Sequence, residues 1–118
     1  MQTKDIQQNE WPEFFDNFSR KHQGTPVGLE ILEPEIGAQP EENGLALEGI
    51  SIEGNETSGH TVLIMVGANA DDHVTHSIRH PTQVSLGQTT EGEDFALAIK
   101  GTDGSLALLR FQSAVLPE

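Results

Sequence analysis

The segment HTVLIMVGANADDHVTHSIRH, from His60 to His80, decides the fold of this chain. It begins with an aliphatic run, passes through small and acidic residues that favour a turn, and ends in a run rich in β-branched residues. This pattern predicts two antiparallel strands joined as a hairpin. Placing the apolar residues of both strands on one face fixes the register. It gives four opposing pairs: Val66 and Val74, Ile64 and His76, Val62 and Ile78, His60 and His80.

Histidines are concentrated in this segment, and imidazole is a common metal ligand. His60, His76 and His80 are therefore the candidate metal ligands. On one strand His76 and His80 are about 13 Å apart, which is too far for one ion. A metal site would need His60 from the neighbouring strand and a carboxylate beside it. The alternative, which we favour, is that His76 is a half-buried structural histidine and that the other histidines lie at the rim.

The region before the hairpin predicts one helix. Trp11, Phe14, Phe15 and Phe18 form an apolar stripe at helical spacing, which indicates a helix from about Glu10 to His22 that ends before Gly24. We expect residues 1–8 to form a flexible polar tail and residues 9–118 to form a single domain, since 118 residues suit one core.

From Thr25 onward the pattern is one of short strands separated by turns. The runs are 27–33, 45–53, 61–66, 73–79, 83–88, 95–100 and 105–112, with an acidic connection over 34–44. A phase shift of the apolar residues at Gly49 predicts a β-bulge. The expected fold is α+β and mostly β: an N-terminal amphipathic helix packed on a curled antiparallel meander or small barrel of about six to seven strands.

Charge and composition exclude several classes of function. The chain carries 19 acidic and 6 basic residues, a formal net charge of −13. Nucleic acids and anionic membranes would be repelled by such a surface, so neither is expected as a partner. There is no cysteine, and no apolar run is long enough to cross a bilayer. We expect a soluble, cytoplasmic protein.

Sequence motifs give no catalytic residue and no cofactor-binding residue. The chain has no Gly-x-Ser-x-Gly elbow and no glycine-rich phosphate loop. Arg110 lies within an apolar run, so we expect it to form a structural ion pair.

The expected function is therefore non-enzymatic: a small acidic domain that associates with itself or with a protein partner. An exposed edge strand, the first or the last β run, is the expected contact surface. Two alternatives stay open. One is a metal-binding protein or metal-dependent enzyme that uses the histidine cluster, and the other is binding of a small ligand inside a barrel.

Several separated blocks also carry a family resemblance: WPEFFDNFSR (residues 11–20), LALEGI (45–50), DDHVTHSI (71–78), PTQV (81–84) and LLRF (108–111). With these blocks the chain resembles an uncharacterised family of small bacterial proteins, a domain of unknown function. The resemblance spans about residues 10–111 and implies one coherent fold. It implies no activity, because none is known for the family.

Overall fold

A computed structural model describes residues 2–33, 37–55, 59–69, 72–102 and 104–111. In this part of the chain there are one α-helix and eight strands. The helix, α1, spans Trp11–His22 and follows a 3-10 turn at Gln8–Glu10. The strands are β1 (Gln2–Ile6), β2 (Pro26–Glu33), β3 (Gly37–Asn55), β4 (Gly59–Asn69), β5 (Asp72–Arg79), β6 (Pro81–Gln88), β7 (Asp94–Gly101) and β8 (Leu106–Phe111).

All the strands belong to one antiparallel sheet in the order β1-β6-β7-β8-β2-β3-β4-β5. Two meanders, β2 to β5 and β6 to β8, join side by side through the pairing of β2 with β8. Only His80 separates the end of β5 from the start of β6, although these strands lie near opposite ends of the order. The sheet must therefore curl strongly, since one residue spans only a few ångströms.

The core lies between α1 and the sheet. Trp11, Phe15 and Phe18 of α1 are buried in one cluster with apolar side chains from β2 to β8. Gly24, at a φ of 87°, ends the helical segment, and its N–H donates to the carbonyl of Leu47 on β3. The predicted fold class is confirmed, and the sheet has one strand more than the upper estimate. None of the described helices has the length and apolar character needed to cross a membrane.

The predicted bulge in β3 is confirmed. The register between β3 and β4 shifts between Leu47 and Gly49, so that both Leu47 and Ile50 are buried. Ser19 of α1 fixes this point, because its Oγ accepts a hydrogen bond from Ile50 N (2.8 Å) and donates one to Ile50 O (3.0 Å). The extra residue, Glu48, is left outside the regular pairing.

The N-terminal segment differs from the expected tail. Gln2–Ile6 form β1, which pairs with β6 from Gln2 opposite Gln88 to Ile6 opposite Val84. Trp11 Nε1 donates a hydrogen bond to the carbonyl of Ile6 (2.9 Å). The segment is polar because four of its five residues are exposed at the sheet edge. The polarity of this segment is therefore that of an exposed edge strand and not of a tail.

Two further expectations about the strands are corrected. Most of the acidic connection belongs to β3, whose residues from Gly37 pair with β2 through two register shifts; residues 34–36 lie outside the described part. The first and last predicted runs, now β2 and β8, pair with each other inside the sheet and are not its edges. Their high apolar content is typical of interior strands.

Candidate functional site

The register predicted for the histidine hairpin is confirmed. As expected, Ile64 lies opposite His76, and the pairs Val66 with Val74 and Val62 with Ile78 also form. The same register continues to His60 and His80, where the N–H of His80 donates to the carbonyl of His60 (2.8 Å). The hydrophobic pattern was sufficient to fix this pairing, because a slip of one residue would expose every apolar side chain of β5.

His60 and His80 lie at the end of this hairpin, where the chain turns from β5 into β6. They line an open cleft of about 400 Å³ together with Gln8, Gly59, Pro81 and Thr102. His80 has a φ of 51°, which is uncommon for a residue other than glycine. Its imidazole ring lies against Gly59, where an added Cβ would be only 2.5 Å from the ring carbon Cε1. Glycine at position 59 is what allows this ring position.

The structure does not bring the three candidate metal ligands together as one site. His76 is half-buried opposite Ile64, and it lies four positions before His80, which follows the end of β5. Within the described residues, no group of three or more His, Cys, Asp or Glu side chains could hold a metal ion. What remains of the predicted cluster is the pair His60 and His80.

His73, on the outer face of β5, has a carboxylate partner on a strand two positions away. Its Nδ1 lies 2.8 Å from both carboxylate oxygens of Glu48, the bulge residue of β3. A carboxylate only accepts hydrogen bonds, so Nδ1 carries the proton that is donated. Gly67 of β4 lies opposite His73 and has no side chain that would separate the two groups. The bulge thus places a negative charge beside the outer face of β5.

β5 is an edge of the sheet, and its backbone groups can be assigned from one hydrogen bond. Antiparallel pairs alternate between those that exchange hydrogen bonds and those that do not. Because His80 bonds to His60, the residues of β5 that bond to β4 are the even-numbered ones. The peptide groups of the odd-numbered residues then point away from β4, towards the edge. These residues are His73, Thr75, Ser77 and Arg79, and all four are exposed.

The two edges of the sheet differ in how they are protected. Natural edge strands avoid pairing with other chains by being short, or by carrying lysine, proline or a bulge. β1 has five residues and carries Lys4 near its centre. β5 has eight residues, with neither lysine nor proline, and its charged residues lie towards its ends. Of the two edges, β5 is the longer, and it lacks the lysine that β1 carries.

A second histidine–carboxylate pair, which the sequence did not predict, lies at the C-terminal end of α1. His22 Nε2 is 2.8 Å from Asp94 Oδ2, and both side chains are largely buried. The imidazole packs against the rings of Phe18 and Phe111, at centroid distances of 4.7 and 4.4 Å. Asp94 also accepts a hydrogen bond from Gln88 Nε2 (2.9 Å). This arrangement joins the helix to β6, β7 and β8, and it fits a structural role.

The electrostatics of Asp94 follow from these contacts. Burial alone would raise the pKa of its carboxyl group. The hydrogen bonds from His22 and Gln88, together with the charge of Lys21, outweigh burial and hold this pKa below its ordinary value. The ionised carboxylate is therefore the form that the fold stabilises.

Arg110 differs from its expected role. Ala107, Leu109 and Phe111 of β8 are buried, and Arg110 lies exposed on the opposite face. Among the residues that the structure describes, Arg110 has no ion-pair partner. Alternation along β8 explains this outcome, since a residue between two buried positions points to solvent and needs no compensating charge.

Comparisons with known proteins show the family of this chain. The chain matches the Family of unknown function (DUF5335) over residues 2–117. It is 29% identical over 119 residues to an uncharacterized protein of Aquifex aeolicus (strain VF5), and the alignment covers 100% of both chains. No solved structure matches the chain. Because the family match covers nearly the whole sequence, this chain belongs to the family of unknown function DUF5335.

Proposed function

We propose that this chain is a protein-interaction module that binds an extended segment of another chain along the edge of β5. The proposal rests on four exposed residues of β5 whose peptide groups point away from β4: His73, Thr75, Ser77 and Arg79. A strand added to such an edge gains main-chain hydrogen bonds, and the alternating side chains supply specificity.

The side chains of β5 support this role on both faces. The outer face offers His73, Thr75, Ser77 and Arg79, which are polar and able to form hydrogen bonds. On the inner face, Val74 and His76 are only half-buried, whereas Ile78 is buried. An added strand would cover Val74 with an apolar side chain of its own, which stabilises the complex by removing apolar surface from water.

Edge binding can be tested with a peptide that copies β5, residues 72–79, titrated into isotope-labelled protein. We expect the backbone amide signals of Thr75 and Ser77 to shift and their hydrogen exchange to slow. Thr75→Pro removes the central edge N–H and should abolish the response, while Thr75→Val keeps it and should bind like wild type. If these amides do not respond to the peptide, edge-strand recognition is wrong.

A second candidate function is binding of a transition-metal ion by His60 and His80. It is favoured by their common cleft and by the backbone hydrogen bond that holds the pair opposite each other. Imidazole suits zinc, copper and nickel. Zinc should then raise the melting temperature of the wild type and of His73→Ala, but not that of His60→Ala/His80→Ala. An unchanged melting temperature of the wild type would exclude this candidate.

A further inference from the structure

We infer that the strand bound at the edge of β5 is β5 of a second copy of this chain, related by a two-fold axis that passes beside His76. This inference rests on the proposed function and names its partner. A two-fold pairing is isologous, so each edge residue serves both as donor to and as acceptor from the other copy. It joins the two sheets into one continuous antiparallel sheet of sixteen strands.

The backbone parity restricts the possible registers. Opposing residues in an antiparallel pair lie on the same face, and the hydrogen-bonded pairs must be formed by residues whose peptide groups point to the edge. A register centred on His76 places His73 opposite Arg79 and Thr75 opposite Ser77. All four edge residues then exchange hydrogen bonds with the other copy. A register centred on Thr75 leaves Arg79 without an opposing edge residue among the described ones.

Charge complementarity favours the same register. Arg79 is exposed and has no ion-pair partner among the described residues. In the two-fold pair it lies opposite His73 of the other copy, whose ring is hydrogen-bonded to Glu48. The guanidinium therefore approaches the carboxylate that the bulge in β3 holds beside His73. The axis repeats this contact, so each interface contains two arrangements of Arg79, His73 and Glu48.

On the inner face, apolar side chains oppose each other on either side of the axis, and the two copies of His76 lie opposite each other at the axis. The register centred on His76 sets Val74 of each copy opposite Ile78 of the other, on either side of His76. Aliphatic side chains in directly opposed pairs contact each other and stabilise the pairing. Val74, which is half-buried in a single chain, becomes covered. The one apolar residue that the fold leaves incompletely covered on this strand is thus covered by the partner.

The inference is tested by the molar mass of the full chain in solution, measured by light scattering over a range of concentrations. We expect twice the chain mass of 12.8 kDa at high concentration for the wild type and for Thr75→Val. Thr75→Pro should remain monomeric with an unchanged circular dichroism spectrum, because proline is tolerated where the N–H points out of the sheet. A wild type that stays monomeric at millimolar concentration would overturn the inference.

That failure can be separated from failure of the proposed function. A monomeric chain whose edge amides still respond to the β5 peptide would keep edge binding and lose the second copy as partner. A dimer that persists in Thr75→Pro but is lost in Leu108→Glu would place the interface on the outer face of β8, where Leu106 and Leu108 are half-buried. This result would overturn the inference too.

A charge-reversal cycle tests the register without disturbing the backbone. Arg79→Glu and Glu48→Arg each place like charges opposite each other twice per interface. Each variant should weaken the dimer by roughly tenfold, and the double variant should recover most of this loss. Additive losses in the double variant would mean that Arg79 and Glu48 do not meet across the axis, and the register centred on His76 would be wrong.

Discussion

Asp94 is the residue on which three elements depend. Asp94 is the first residue of β7. It accepts hydrogen bonds from His22 at the end of α1 and from Gln88 at the end of β6. A carboxylate with two donors and little exposure is costly to leave without them. The pair therefore holds the last turn of the helix to the sheet.

The pH dependence of stability should report this contact. The folded state lowers the pKa of Asp94, so the unfolded chain binds its proton more readily. The stabilisation is full above about pH 4, the unfolded pKa, and is lost as pH falls through the folded pKa. We expect Asp94→Asn to lower the free energy of unfolding at pH 7 by about 1–3 kcal/mol. Urea denaturation from pH 2 to pH 7 should show that the free energies of unfolding of the wild type and of Asp94→Asn become equal at low pH.

Asp16→Asn is the matched control for this experiment. Asp16 lies on α1, the helix that carries His22, and it pairs with Arg20, but the side chains of Asp16 and Arg20 are well exposed. Its replacement should change the free energy of unfolding by less than about 0.5 kcal/mol. If Asp94→Asn and Asp16→Asn behaved alike at pH 7, the contact between His22 and Asp94 would have no special weight in stability.

Residue contacts of this kind mark the limit of sequence analysis. The pairs in the histidine hairpin were predictable, because alternating apolar residues allow only one register. His22 and Asp94 are 72 positions apart, and Glu48 and His73 are 25 apart. Local pattern gives no reason to join them. They become neighbours only once the strand order is known.

At the scale of elements, β1 is where pattern and structure differ most. Local composition suggested a tail, since Gln2 to Asp5 contain no apolar residue. Pairing with β6 supplies the stability that composition does not. Ile6 is packed against the core, and its carbonyl accepts the indole hydrogen bond of Trp11. The helix and the bulge in β3 were predictable, because each depends on a local period and not on a distant partner.

Deleting residues 1–6 tests whether β1 is an integral strand. We expect the deletion to lower the free energy of unfolding by roughly 1–3 kcal/mol, through loss of strand pairing, of Ile6 and of the acceptor for Trp11. Hydrogen exchange of the intact chain should show protected amides in β1. Gln2→Ala, at an exposed position, should leave stability unchanged. If the amides of β1 exchanged at random-coil rates and the deletion did not change the free energy of unfolding, this segment would be a flexible tail, as its composition suggested.

At the scale of the whole molecule, net charge opposes the two-fold pairing. Each chain carries a formal charge of −13, and its shortest dimension is 29 Å. Two such chains side by side repel by several kcal/mol at 0.01 M ionic strength, but by less than about 1 kcal/mol at 0.15 M. The contacts between Arg79 and Glu48 act over a few ångströms and offset only part of this repulsion at low salt.

Salt should therefore strengthen the dimer before it weakens it. We expect the dissociation constant to fall at least roughly tenfold between 0.01 and 0.15 M sodium chloride, as long-range repulsion is screened. Above that concentration it should level off or rise slightly, because the short-range ion pairs are screened in turn. Sedimentation velocity measures the dissociation constant both below and above 0.15 M sodium chloride. A dissociation constant that rises steadily from the lowest salt would mean that ion pairs dominate the interface, whereas main-chain pairing along β5 requires the opposite sign at low salt.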